Sequence, residues 1–103
     1  MKQVINGLTY NTATATELCT ICEGYSGDFN MVRATLYKTK KGRYFVQGYG
    51  GASSMFSLPY GQNGWQGGDG IRALSPERAL ALAEQEMDAD EIEKHFGDMI
   101  AEA

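Results

Sequence analysis

The sequence predicts one α+β domain over residues 1–103, with a small antiparallel sheet of about four or five short strands. One helix is expected after the first hairpin, and two C-terminal helices are expected to pack on the sheet. Three local patterns carry this prediction: an Asn-Gly turn near the start, a turn at Lys40–Gly42 and a helix start at Ser75-Pro76-Glu77. The chain length fits a single domain.

The strands are predicted from apolar runs that flank turn residues. Val4–Tyr10 reads as a hairpin, because Asn6 and Gly7 both tolerate the positive φ of a type I′ turn. Met31–Thr39 and Arg43–Gln47 form the second predicted pair, and their aromatic and β-branched residues suit a pleated surface. Ile71–Leu74 is a further short strand.

A first helix is predicted over Asn11–Glu23, before Gly24. Its apolar residues recur at spacings of three and four. Asn11, Thr12 or Thr14 could cap it, and Thr14 with Glu17 has the spacing of a capping box. The members of this apolar face are Ala15, Leu18, Cys19 and Cys22.

Two further helices are predicted in the C-terminal quarter of the chain. Ser75 is a favourable cap with Pro76 at the first helical position, and that helix extends to about Glu86. Asp88 can cap the second helix, which is predicted to continue through the C-terminus. Its apolar stripe consists of Ile92, Phe96, Met99 and Ile100.

Charge divides the chain into two parts of opposite sign. Residues 1–76 carry seven basic and four acidic side chains, whereas residues 77–103 carry two basic and nine acidic ones. No apolar run approaches the roughly 18–20 residues of a membrane span, so we expect a cytoplasmic protein without a membrane partner. The acidic region favours basic protein surfaces over nucleic acid.

The chemistry-bearing residues do not form a recognisable catalytic or metal-binding motif. His95 is the only histidine, and no neighbouring nucleophile accompanies it. Cys19 and Cys22 have the C-x-x-C spacing, which fits either a redox or metal site or two small buried apolar residues. We therefore expect a protein that is not an enzyme and needs no cofactor or metal.

The segment Gly48–Gly70 is rich in glycine and aromatic residues and is long for a structureless loop. Such length indicates a function, an internal short strand or mobility. Tyr60 and Trp65 are candidate partner-binding residues, because aromatic side chains dominate binding hot spots. The same aromatics could instead fold back and enlarge the core.

Two charged surfaces are further candidates. The acidic surface, on the C-terminal helices, is either a helix face that is simply solvated or a surface that binds a basic partner. Its members are Glu84, Glu86, Asp90, Glu91 and Glu93. The basic one, in the hairpin of residues 33–43, would be an alternative nucleic-acid-binding surface or a protected sheet edge. Its members are Lys38, Lys40, Lys41 and Arg43.

Several segments resemble a group of short proteins that are carried by phages and other mobile elements. The matching segments are Ile5–Thr12, Leu36–Phe45, Gly50-Gly51-Ala52 and Leu74–Leu80. Some small acidic proteins of this kind are anti-CRISPR inhibitors, which bind an effector complex and block DNA recognition or cleavage. The resemblance implies such a role in the host bacterium. Its motifs are a turn, a hairpin and a helix cap, so it assigns no functional residue.

Two interpretations follow. In the first, the protein is a non-catalytic inhibitor that binds a host defence complex, such as a CRISPR effector, through its acidic helices and the loop aromatics. In the second, it is a nucleic-acid-binding accessory protein that uses the basic hairpin. Exposed loop aromatics would also be compatible with a homodimer.

Overall fold

The computed structural model describes residues 1–103 and contains eight strands, two α-helices and a short 3₁₀ helix. Its centre is a four-stranded antiparallel sheet with the strand order β3-β4-β5-β8. The C-terminal helices pack on one face of this sheet, so the predicted α+β class is confirmed. The elements are β1 (Lys2–Ile5), β2 (Leu8–Asn11), β3 (Thr16–Glu23), β4 (Val32–Lys38), β5 (Tyr44–Gly50), β6 (Leu58–Tyr60), β7 (Gly64–Gln66), β8 (Gly68–Leu74), α1 (Pro76–Glu86), α2 (Ala89–Phe96) and the 3₁₀ helix (Gly97–Met99).

Both predicted hairpins are present. β1 pairs with β2 through a two-residue turn in which Asn6 has φ 52° and Gly7 has φ 78°. β4 pairs with β5 over seven residues each, and Gly42 adopts φ 87° in the turn between them. These turns need a positive φ, which glycine adopts without steric cost.

The predicted helix over Asn11–Glu23 is wrong. Residues Thr16–Glu23 form β3, an edge strand that pairs with β4. Asn11 does not cap a helix; its side-chain oxygen instead accepts a hydrogen bond from the Ala13 backbone N–H, 2.9 Å away, in a turn. β-Branched residues favour strands, and pairing with the long β4 strand overrides the weak helical spacing.

About half of the glycine-rich segment Gly48–Gly70 is in strands. β5 extends to Gly50, β6 and β7 form a separate hairpin, and β8 begins at Gly68, three residues earlier than predicted. Of the alternatives that its length indicated, an internal short strand is therefore present.

Alternate residues of the central sheet face two different layers. On the first face, which we call the helix face, Ile21, Leu36 and Val46 are fully buried or nearly so and pack in one cluster with Phe96. On the opposite face, Phe45 and Ile71 pack with Tyr10 of the first hairpin. The Tyr10 and Phe45 rings meet edge to face with their centres 5.5 Å apart.

The two helices begin at the predicted caps. The Ser75 hydroxyl accepts a hydrogen bond from the Arg78 backbone N–H, and Asp88 accepts one from Glu91 in the same way. α2 ends at Phe96, so the predicted continuation to the C-terminus is limited to the 3₁₀ turn. No helix in the structure has the length and apolar character needed to cross a membrane.

Gly48 of β5 lies opposite Ala34 of β4, at a position that has no room for a side chain. A methyl group on Gly48 would overlap the Arg33 carbonyl oxygen and lie 2.5 Å from the Ala34 Cα atom. We expect Gly48→Ala to lower the free energy of unfolding by about 1–3 kcal/mol, because the backbone of β4 or β5 must move to make room for the methyl group. Urea denaturation followed by circular dichroism measures the loss.

Gly97→Ala is the matched control for this substitution. Gly97 has φ −53°, and apart from its own chain neighbours and the adjoining helical backbone nothing lies within 4 Å of an added methyl group there. It should be neutral or stabilise the protein by up to about 1 kcal/mol. Equal effects of the two substitutions would contradict the close pairing of β4 and β5.

Candidate protein-binding surface

Six large apolar side chains are exposed at one end of the central sheet. This is the end where β3 and β5 finish and β4 begins. We call this surface the aromatic end. Its members, with the exposed fraction of each, are Tyr25 (83%), Phe29 (74%), Tyr49 (53%), Leu58 (40%), Tyr60 (66%) and Trp65 (62%). Large aromatic side chains with this exposure are typical of binding surfaces when they occur together.

The connection between β3 and β4 presents Tyr25 and Phe29. Its conformation is fixed locally, because the Asp28 carboxylate accepts a hydrogen bond from the Tyr25 backbone N–H at 2.9 Å. The Phe29 carbonyl accepts a hydrogen bond from Ser53, 2.7 Å away, and so joins this loop to the one that follows β5. Two loops of distant sequence therefore form one surface.

The hairpin of β6 and β7, which we call the arm, presents Tyr60 and Trp65. Trp65 lies opposite Pro59, and Tyr60 lies opposite Gly64. Cross-strand partners share a face and neighbouring positions alternate, so Tyr60 and Trp65 lie on opposite faces of the arm. The structure therefore places both predicted residues on the arm, but on its two opposite faces.

The base of the arm is anchored by Phe56, which is fully buried in the main core. The Arg72 guanidinium lies 5.4 Å from the centre of the Phe56 ring and donates a hydrogen bond to the Phe56 carbonyl. Gly68 is required here, since an added methyl group would lie 2.5 Å from that carbonyl oxygen. The exposed arm thus leaves the domain from a rigid base.

The five predicted acidic residues are all exposed on α1 and α2. Glu91 lies 3.5 Å from His95, and this is the closest approach of an acid to a base in the chain. Glu86 lies near β3, where burial and then the Glu86 carboxylate raise the pKa of the Cys19 thiol. No hydrogen bond or ion pair connects these acids to the aromatic end, so the two predicted partner-binding sets remain separate.

The four predicted basic residues divide into two groups. The Lys38 ammonium is partly buried, donates a 2.7 Å hydrogen bond to the His95 carbonyl and lies 5.6 Å from the Tyr44 ring centre. The Tyr44 hydroxyl donates to the same carbonyl at 3.1 Å. Lys38 therefore fixes the end of α2, whereas Lys40, Lys41 and Arg43 are exposed.

The two cysteines are free thiols on opposite faces of β3. Cys19 pairs with Leu36 and packs against the main core, while Cys22 pairs with Arg33 and is exposed. The predicted alternative of two buried apolar residues is therefore met only in part, since Cys19 is partly buried against the core and Cys22 is exposed. No group of three or more His, Cys, Asp or Glu residues is placed to hold one metal ion.

Tyr25, Phe29 and Tyr49 were not predicted as site residues. The first two flank Gly27-Asp28 between two strands, a composition similar to that of the glycine-rich segment. That similarity was the available signal, although a helix over residues 11–23 would place no strand end before this loop. Tyr49 could not be placed without knowing which face of β5 is covered.

No protein-family model, curated protein sequence or solved structure significantly matches this chain.

The environments of the cysteines predict unequal thiol reactivity. Iodoacetamide should modify Cys22 several-fold faster than Cys19 at neutral pH, because Cys22 is exposed and Cys19 is partly buried with a raised pKa. Peptide mapping by mass spectrometry over time measures both rates. The rate of Cys19 modification increases with pH as the thiol ionises, and this increase should occur at a higher pH in the folded chain than in the chain unfolded in urea. Equal rates in the folded chain would contradict this arrangement.

The contacts of Lys38 predict a structural role for this side chain. Lys38→Met should lower the free energy of unfolding by about 1–2 kcal/mol, because it removes a part-buried donor from the His95 carbonyl. Lys40→Met, which alters an exposed lysine of the same hairpin, should change it by less than about 0.5 kcal/mol. Urea denaturation measures the free energy of unfolding of both variants. Equal decreases would contradict the structural role of Lys38.

Proposed function

We propose that this chain is a non-catalytic protein-binding protein whose main contact surface is the aromatic end. The observation that supports the proposal is the gathering of six exposed apolar side chains, from four separate segments, at one end of the sheet. Trp and Tyr contribute large contact areas with few rotatable bonds, so their ordering costs little entropy on binding.

The anchoring of these segments favours tight association. The loop of residues 24–31 is hydrogen-bonded to the loop of residues 51–57, and the base of the arm is fixed by Phe56 and Arg72. A surface that is already ordered loses less entropy when a partner binds. The glycines around the arm have their own packing or turn roles and do not make it a flexible linker.

The size and shape of the surface indicate the form of the partner. At about 200 Å² for each aromatic side chain, the five aromatics expose roughly 700 Å² in total. This approaches the roughly 800 Å² that each partner buries in a standard interface. Because Tyr60 and Trp65 lie on opposite faces of the arm, a flat partner could not cover both. We infer a partner with a cleft that receives the arm.

The acidic faces of α1 and α2 would steer the encounter. Their five candidate carboxylates are exposed, and only Glu91 has a nearby basic partner. A surface of one sign accelerates association with a surface of the opposite sign, and the effect falls as salt is added. The partner would therefore carry basic side chains near its cleft.

A CRISPR effector complex of the host bacterium is the partner class that we propose to test first. The resemblance to small mobile-element proteins supports this choice, and effector complexes offer the basic, nucleic-acid-binding clefts that the charge and shape of this chain require. In this role the chain would block DNA recognition or cleavage by occupying such a cleft, and it would do so without catalysis.

Substitutions in the arm test this proposal against a panel of purified CRISPR effector complexes. The full chain should bind at least one complex in biolayer interferometry. Trp65→Ala should weaken that binding at least about 30-fold, the effect of a hot-spot residue worth 2 kcal/mol. Val4→Ala is the matched control, since Val4 is 66% exposed on the first hairpin and should change affinity less than about twofold.

The acidic faces are tested in the same assay by replacing the five carboxylates with Gln. The association rate should fall, and its dependence on salt should weaken, while the dissociation rate changes little. Failure of the whole panel to bind would refute the CRISPR assignment. A homodimer that is disrupted by Trp65→Ala would instead make the aromatic end a self-association surface and overturn the proposed function.

A further inference from the structure

A second candidate surface lies at the other end of the sheet, where the turn between β4 and β5 carries three exposed cations. We call Lys40, Lys41 and Arg43 the basic end. They border a groove of about 310 Å³ beside the first hairpin. The other lining residues are Leu8, Thr9, Tyr10, Thr14 and Thr39.

The three cations have no partner within the chain. None of their side chains forms a hydrogen bond, and the closest acid–base approach in the protein is elsewhere, between Glu91 and His95. The other basic residues of the hairpin contrast with them. Lys38 is bonded to the His95 carbonyl, and Arg33 donates to the carbonyls of Glu23, Val32 and Gly24. Within this hairpin, the basic side chains without a partner are therefore the three at the turn.

We propose that the basic end binds the phosphodiester backbone of duplex nucleic acid without sequence preference. Lysine and arginine neutralise phosphates and release condensed counterions, which supplies most of the free energy of non-specific binding. Single strands are usually held by stacking on exposed aromatic rings. The only aromatic residue of the groove is Tyr10, which is buried, so stacking has no platform here.

A membrane surface fits this groove less well. Segments that bind anionic lipids usually contain four to eight clustered Lys and Arg residues, whereas the basic end has three. Duplex binding instead increases with each phosphate that is neutralised, because each contact releases condensed counterions. The contact is accordingly weak, with a Kd between about 10⁻⁴ and 10⁻⁶ M at physiological salt.

This inference is independent of the proposed function. The seven residues of β4 separate the basic end from the aromatic end by about 20 Å. Each end can therefore be altered without touching the other. If the protein partner also holds nucleic acid, simultaneous contact by both ends would raise the overall affinity through effective concentration.

Fluorescence anisotropy of a short labelled DNA duplex, titrated with the full chain, tests the inference. Three phosphate contacts predict a fall in affinity of about 40-fold between about 50 and about 200 mM salt. The triple variant Lys40→Gln, Lys41→Gln, Arg43→Gln should lose the binding. The matched control is Lys2→Gln, Arg78→Gln, Lys94→Gln, which removes three exposed cations elsewhere and should retain it.

Three results would overturn the inference. The first is no duplex binding at low salt by the unaltered chain. The second is equal loss in both triple variants, which would indicate a general charge effect. The third is tighter binding of a labelled single strand, or of phosphatidylserine vesicles, than of the duplex. Circular dichroism of both variants checks that each remains folded, and Trp65→Ala should leave duplex binding unchanged.

Discussion

The structure depends on the burial of both faces of the sheet at the start of β5. Tyr44, Phe45 and Val46 are consecutive residues that are all buried, although neighbouring side chains of a strand point to opposite sides. The sheet therefore needs a cover on each side at this point. The helices cover Tyr44 and Val46, and the first hairpin covers Phe45. Further along β5 the first hairpin no longer covers the face that carries Phe45, and Tyr49 on that face is exposed.

This arrangement explains why the two ends of the molecule differ. Near the β4–β5 turn, layers on both sides support a short connection, and charged side chains occupy the turn. At the opposite end the strands emerge from the covered region into longer loops and the arm. Of the apolar residues of those segments, Phe56 is completely buried and Met55 packs against the main core. The remaining aromatic residues are left exposed as a result of the layer arrangement.

The parts of the fold that depend on local chemistry could be predicted from the sequence. The Asn6-Gly7 turn, the Gly42 turn and the caps at Ser75 and Asp88 each follow from the conformations that one or two residues permit. β3 could not be predicted in this way. Its identity comes from hydrogen bonds to β4, which begins nine residues later, and its spacing of apolar residues also fits a helix.

The candidate site shows the same division between local and distant information. Tyr60 and Trp65 were found because they lie in one unusual segment of the sequence. Their opposite orientations depend on the pairing register of the arm, and the contribution of Tyr25 and Phe29 depends on a hydrogen bond from Ser53. Its position in the sequence grouped Lys38 with the other basic residues of the hairpin. In the structure, the Lys38 ammonium donates a hydrogen bond to the carbonyl of His95, which lies 57 positions further along the chain.

That long-range contact has a consequence for the order of folding. α2 has eight residues, which is too short for a stable isolated helix in water. Its last turn is held by Lys38 and Tyr44 and by stacking of the Phe96 ring on the Tyr44 ring, at a centre distance of 4.9 Å. These groups are aligned only after β4 and β5 have paired. Such contacts between distant residues form late, because closing a long loop costs entropy. We therefore expect the last helix to become ordered only on a completed sheet, so that its acidic face is assembled late in folding.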